Sequence, residues 1–139
     1  MTRRELREQI FLVLFSLGFH DGEDPRELVI RYLDETCEKK VSDFERAEIL
    51  KKALDIALKK EELDKAIDEV SEGWRVERMG KAELNLLRLA LYEMRYLDDV
   101  PVKVAINEAV DLAKEYGDND APAFVNGILA KLVADKKEA

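Results

Sequence analysis

The sequence predicts an all-α protein, and three observations carry that prediction. Apolar residues recur at three- and four-residue spacing through most of the 139 residues. No window sustains the apolar/polar alternation of a half-buried strand. Most of the three prolines and six glycines fall between the periodic segments, where they act as punctuation.

About seven helices follow, near 3–17, 25–39, 43–59, 62–73, 81–97, 101–116 and 121–136. The first opens on Thr2-Arg3-Arg4-Glu5 and the third on Ser42-Asp43-Phe44-Glu45, both with the hydroxyl-to-glutamate spacing of a capping box. The second opens on Asp24-Pro25, with proline at the position where its missing N–H costs nothing. In the third, Phe44, Ala47, Leu50, Leu54, Ala57 and Leu58 form the expected buried stripe. Leu84, Leu87, Leu91 and Met94 form it in the fifth, and Val102, Ile106, Ala109, Val110 and Ala113 in the sixth. Asp120 is the expected N-cap of the seventh, with Pro122 in its first turn. Gly18, Gly80 and Gly117 are expected as left-handed residues at helix ends. Connections are short, so neighbouring helices should run antiparallel in bundles. The segment 73–80 (GWRVERMG) is ambiguous and is the expected boundary between subdomains 1–73 and 74–139 of one domain.

Composition narrows the function classes. The 23 Lys and Arg against 31 Asp and Glu leave a formal net charge of −8. That total argues against holding nucleic acid by overall charge, while leaving room for a local basic patch. A single cysteine, Cys37, excludes an intramolecular disulfide and a cysteine-cluster metal site. The longest apolar run, residues 10–15, falls far short of the roughly 18 residues that suggest a membrane span, and the expected compartment is the cytoplasm. Charged residues at 39%, with few amides, match the composition reported for thermophile proteins.

A search for catalytic chemistry is mostly negative. One histidine, His20, excludes HExxH and Glu-x-x-His metal motifs and reads as a solvated turn residue. Cys37 has no histidine beside it in sequence to activate it and reads as structural. Asp118-Asn119-Asp120 begins like a calcium loop but lacks the glycine and the closing glutamate. No phosphate-binding glycine loop or nucleophile elbow occurs. The expectation is a protein without enzymatic activity, metal or cofactor. Two basic features stand out. Arg3, Arg4 and Arg7 gather at the start of the first helix, against its dipole. They are a solvated face beside Glu5 and Glu8, or an anion site. Arg75, Arg78, Lys81 and Arg88 then outnumber Glu77 and Glu83 in the linker and fifth helix. Residues 10–15 are apolar on nearly every side, which suits a deep core or a homodimer contact.

Four blocks in the last third resemble the NusB family of bacterial transcription antitermination factors. They are Leu89-Ala90-Leu91-Tyr92-Glu93-Met94, Asp99-Val100-Pro101, Val104 through Lys114 (VAINEAVDLAK), and Phe124-Val125-Asn126-Gly127-Ile128-Leu129. An arginine-rich first helix entering Leu14-Phe15 is similar as well. The resemblance implies two packed three-helix-like bundles. It also implies binding of boxA, a short single-stranded RNA element of ribosomal-operon transcripts, together with NusE, a small-subunit ribosomal protein. The assembly then joins the antitermination complex on RNA polymerase. By position, the family's RNA-facing residues fall on Arg3, Arg4, Arg7, Phe15, Glu83, Asp120 and Phe124. The chain departs from the family in a thinner arginine cluster, in Phe15 where a tyrosine is common, and in Asp120-Ala121-Pro122-Ala123. The alternatives are an RNA-binding module related to the N-terminal part of RNA cytosine methyltransferases, and a purely protein-binding helical adaptor.

Overall fold

The computed structural model describes residues 1–138, with side chains through residue 134. Seven α-helices occur among the described residues, and no strand. They are α1 (Arg3–Leu17), α2 (Pro25–Arg31), α3 (Asp43–Leu58), α4 (Lys60–Val70), α5 (Lys81–Tyr96), α6 (Val102–Tyr116) and α7 (Ala121–Glu138). A π-turn at Tyr32–Thr36 extends α2, and a single 3₁₀ turn at Val76–Arg78 lies between α4 and α5. The second helix is therefore α-helical for less of its expected length. Its last turn widens, and Cys37 N–H donates to Tyr32 C=O at 2.9 Å.

The chain divides into two compact units, Met1–Lys59 and the part from Lys60 onward. The division falls just before α4 and not in segment 73–80, because α4 packs on α5 and α7. The first unit is a three-helix bundle in which α1, α2 and α3 all touch one another. Its start obeys local rules. Thr2 and Ser42 each close a capping box, with Glu5 N–H and Glu45 N–H donating to their hydroxyls at 3.1 Å. Asp24 Oδ1 accepts from Arg26 N–H at 3.0 Å, ahead of Pro25 at the helix start. Ile10, Phe11, Val13 and Leu14 of α1 pack with Leu28, Val29, Ile49, Ala53 and Ile56 as the core of this unit. Gln9 is buried with them, and its Oε1 accepts from the Tyr32 hydroxyl at 2.7 Å and from Cys37 Sγ at 3.4 Å. Burial pushes the Tyr32 phenol up to about 12.

The buried face of α3 is Ile49–Ala53–Ile56, not the expected stripe. Phe44 and Leu58 stand 80% and 84% exposed, and Ala47 is exposed too. Helix α3 carries apolar residues on two sides, and packing against both α1 and α2 selects the side that holds the isoleucines. In α6 the burial centres on Ala105, Ala109, Leu112 and Ala113, with Val102, Ile106 and Val110 at its half-buried edge.

The second unit is built around α5, which is buried from Leu84 to Leu87 and from Leu89 to Met94. The expected stripe of Leu84, Leu87, Leu91 and Met94 is wholly inside. Helices α4, α6 and α7 pack on it and supply Leu63, Ile67, Leu112, Val125, Ile128, Leu129 and Leu132. A bidentate ion pair ties α4 to α5: Arg88 Nε and Nη2 donate to the two Asp64 oxygens at 2.7 and 2.8 Å. None of Gly18, Gly80 and Gly117 is left-handed. Gly117 is glycine because of crowding: a Cβ there would lie 2.4 Å from Ala121 Cβ and 3.0 Å from the Ala113 carbonyl oxygen. The left-handed glycines are Gly22 and Gly73, both in loops.

Candidate nucleic-acid interface

In the first unit the candidate residues share α1. Arg3 and Arg7 are one i, i+4 step apart, and the same progression continues to Phe11, Phe15 and Phe19. Arg3 and Arg4 are exposed and Arg7 is half-buried; Arg4 and Arg7 each have a partner group. Glu5, which interrupts the arginines in sequence, turns its carboxylate elsewhere. Lys39 Nζ donates to its Oε2 at 2.6 Å, and Thr2 N–H donates to its Oε1 at 3.1 Å. The Lys39 ammonium, then the Thr2 N–H and hydroxyl, lower the Glu5 carboxyl to about 2. Glu5 is thus committed to the capping box and to Lys39. Phe15 is half-buried, its ring 6.1 Å from Phe11 and 5.2 Å from Phe19, and Phe19 is 58% exposed. The helix therefore carries a basic start and an aromatic end.

In the second unit Glu83 lies in the first turn of α5. Its carboxylate covers Gly80 and reaches the α6–α7 turn: Oε2 lies 2.0 Å from the Cβ position at Gly80, and Oε1 lies 3.1 Å from that at Gly117. The structure therefore brings Glu83 beside the turn that carries Asp120. Asp120 is exposed and precedes α7, but the side chain that caps this turn is Asp118, whose Oδ1 accepts from the Asp120 and Ala121 N–H groups at 3.1 Å. Phe124 is half-buried one turn into α7. Its ring meets Trp74 edge-on, with centroids 6.3 Å apart and planes at 78°. Trp74 is the residue that sequence reasoning missed. Its signal was present as the chain's one tryptophan, between Gly73 and Arg75. The second basic cluster is smaller than expected, because Arg88 is spent on Asp64 and only 13% of its side chain is exposed. Arg75, Arg78 and Lys81 remain exposed.

Other expected readings fall as follows. His20 is exposed, and its Nδ1 lies 2.7 Å from Glu23. Cys37 is half-buried against Gln9. Among the described residues no group of three His, Cys, Asp or Glu side chains is placed to hold a metal ion, and no helix is long and apolar enough to cross a membrane.

Comparison with known proteins decides the family. The NusB family model matches residues 4–134. The chain belongs to the NusB family. A relative from Lachnoclostridium phytofermentans, named transcription antitermination protein NusB, is 46% identical over 134 residues, covering 96% of this chain and 99% of the relative. Among solved structures, NusB of T. maritima superposes with a TM-score of 0.86 at 29% identity, covering 100% of this chain and 99% of that one. The chain also matches a chain in the structure described as antitermination factors NusB and NusE in complex with dsRNA. There the TM-score is 0.79 at 28% identity, over 96% of both chains. The all-α reading and the NusB resemblance seen in the four sequence blocks both hold.

Proposed function

We propose that this protein acts in transcription antitermination by binding boxA-type single-stranded RNA together with NusE, without enzymatic activity, in the cytoplasm. The observation that carries this reading is the match, over nearly the whole chain, to a fold whose solved relatives include NusB and NusE in complex with dsRNA. On this reading the chain is one RNA-binding module, and its contact residues are Arg3, Arg4, Arg7, Phe15, Glu83, Asp120 and Phe124. Arginines hold phosphates in register, and exposed ring surfaces stack on unpaired bases. Glu83 and Asp120 suit acceptor roles toward base amino groups or toward a basic partner.

The charge balance explains why such a protein works in a pair. A net charge of −8 leaves little long-range attraction for RNA. A basic ribosomal protein bound alongside would add phosphate contacts. The test is a titration of single-stranded boxA RNA with the protein alone, NusE alone and the two together. Tighter binding by the pair than by either component is expected, and RNA should tighten NusE binding by the same factor. Equal RNA affinity with and without NusE would refute the cooperation.

A further inference from the structure

We propose that Trp74 is a base-stacking residue of the RNA site, its indole held edge-on against Phe124 in the second unit. The proposal rests on the RNA-binding reading above and adds to it a residue that the family resemblance did not supply.

Large aromatic side chains are ordinarily buried, yet Trp74 is 58% exposed. It is also held in place. Gly73 precedes it at φ 93°, a left-handed conformation that turns the chain out of α4. Trp74 N–H donates to the Ser71 carbonyl at 3.2 Å, and the buried Ser71 hydroxyl donates to the Trp74 carbonyl. Two residues on, Val76 N–H donates to Asp68 Oδ1 at 2.8 Å, and the Val76 side chain is buried. An exposed indole on an anchored backbone loses little conformational freedom when a ligand stacks on it.

Its aromatic neighbour among the described residues is Phe124, met edge-on at 78°. That geometry uses an edge and a face of the pair, and more than half of the Trp74 surface stays open to solvent. The surroundings favour an anionic ligand that carries flat rings. Arg75, Arg78 and Lys81 follow within seven residues of Trp74 and are all exposed. Arg75 is itself paired with Glu77 at 3.3 Å and Glu72 with Lys131 at 3.1 Å, and residues 72–81 carry three cations against two carboxylates, a local excess of one positive charge. A polyanion with unpaired bases meets both demands, because each base offers a π-face whatever its sequence.

Trp74 is the chain's single tryptophan, so protein labelled with ¹⁵N at the indole gives one resonance from this residue even when unlabelled NusE is present. That resonance should shift when single-stranded boxA RNA joins the protein–NusE complex, and stay in place with an abasic oligonucleotide of equal length. Trp74→Ala should weaken RNA binding about 5- to 150-fold, the range expected for one lost stacking contact, and Trp74→Phe should recover most of it. Both variants should keep the wild-type circular dichroism spectrum and, without RNA, the wild-type affinity for NusE. RNA bound at full affinity by Trp74→Ala, with an unmoved indole resonance in the wild type, would overturn the assignment and leave the RNA-binding reading standing. A shift produced by NusE alone, with no further change on adding RNA, would make Trp74 a protein contact and overturn it as well. Absence of any RNA binding by the wild-type pair would remove both readings.

Discussion

At the scale of single residues, two side-chain arrangements lead directly to measurements. Glu5 is a carboxylate whose folded value, about 2, lies below its ordinary 4.5. The stability it contributes is therefore complete above about pH 4.5 and is lost as the pH falls toward 2. Glu5→Gln should lower Tm near neutral pH by removing the Lys39 ion pair. The gap between wild type and variant should then close in acid, as the wild-type carboxylate becomes protonated. A gap that stays constant from pH 6 to pH 2 would show that Glu5 does not titrate with this linkage. Glycines give the second measurement. Gly117→Ala forces a methyl against Ala121 and the Ala113 carbonyl, neither of which can swing aside, and should cost about 1–3 kcal/mol. Gly127→Ala, inside α7 with nothing within 4 Å, should stabilise by about 0.5–1 kcal/mol. Chemical denaturation of the two variants checks both signs.

At the scale of elements, the burial pattern separates residues that look alike in sequence. Leu87 is fully buried in α5, and Leu87→Ala should cost about 2–5 kcal/mol. Phe44→Ala and Leu58→Ala remove comparable side chains from the exposed side of α3 and should each stay within about 0.5 kcal/mol. Urea midpoints at an unchanged m-value would report the contrast, and a large loss at Phe44 would mean that this side of α3 is covered in solution. These cases show what was legible in the sequence. Helix starts were, because capping boxes at Thr2 and Ser42 and the Asp24-Pro25 pair are local chemistry within four residues. The face of α5 was legible because its leucines are buried on almost every side. The face of α3 was not, since two apolar stripes compete and only the placement of α1 and α2 decides between them. The aromatic contact at Phe124 was hidden for a similar reason: Trp74 and Phe124 are far apart in sequence, and their meeting depends on α4 and α7 packing together. The basic count of the linker was overstated because Asp64, which neutralises Arg88, lies on another helix.

At the scale of the whole molecule, an acidic chain that binds RNA must rely on a few well-placed cations. If Arg3, Arg4 and Arg7 each contact one phosphate, the logarithm of boxA affinity should fall against the logarithm of salt with a slope of about −2, at roughly −0.7 per phosphate on a single strand. A phosphate at Arg4 or Arg7 must displace or share the group already engaged there, which lowers affinity without changing the number of counterions released by the strand. The triple alanine variant should flatten the slope by about 2 and weaken unrelated RNA of the same length to a similar degree, since phosphate contacts carry no sequence information. Phe124→Ala should do the reverse, losing affinity at every salt concentration while keeping the slope, because a stacked base releases no counterion. Thermal unfolding of each variant separates these effects from misfolding, a control that matters most for the half-buried Phe124. Measurements belong in the presence of NusE, with its own slope recorded first. A correctly folded arginine variant that keeps both its affinity and its slope would assign those three residues to a solvated face and leave RNA contact to the second unit's rings and cations.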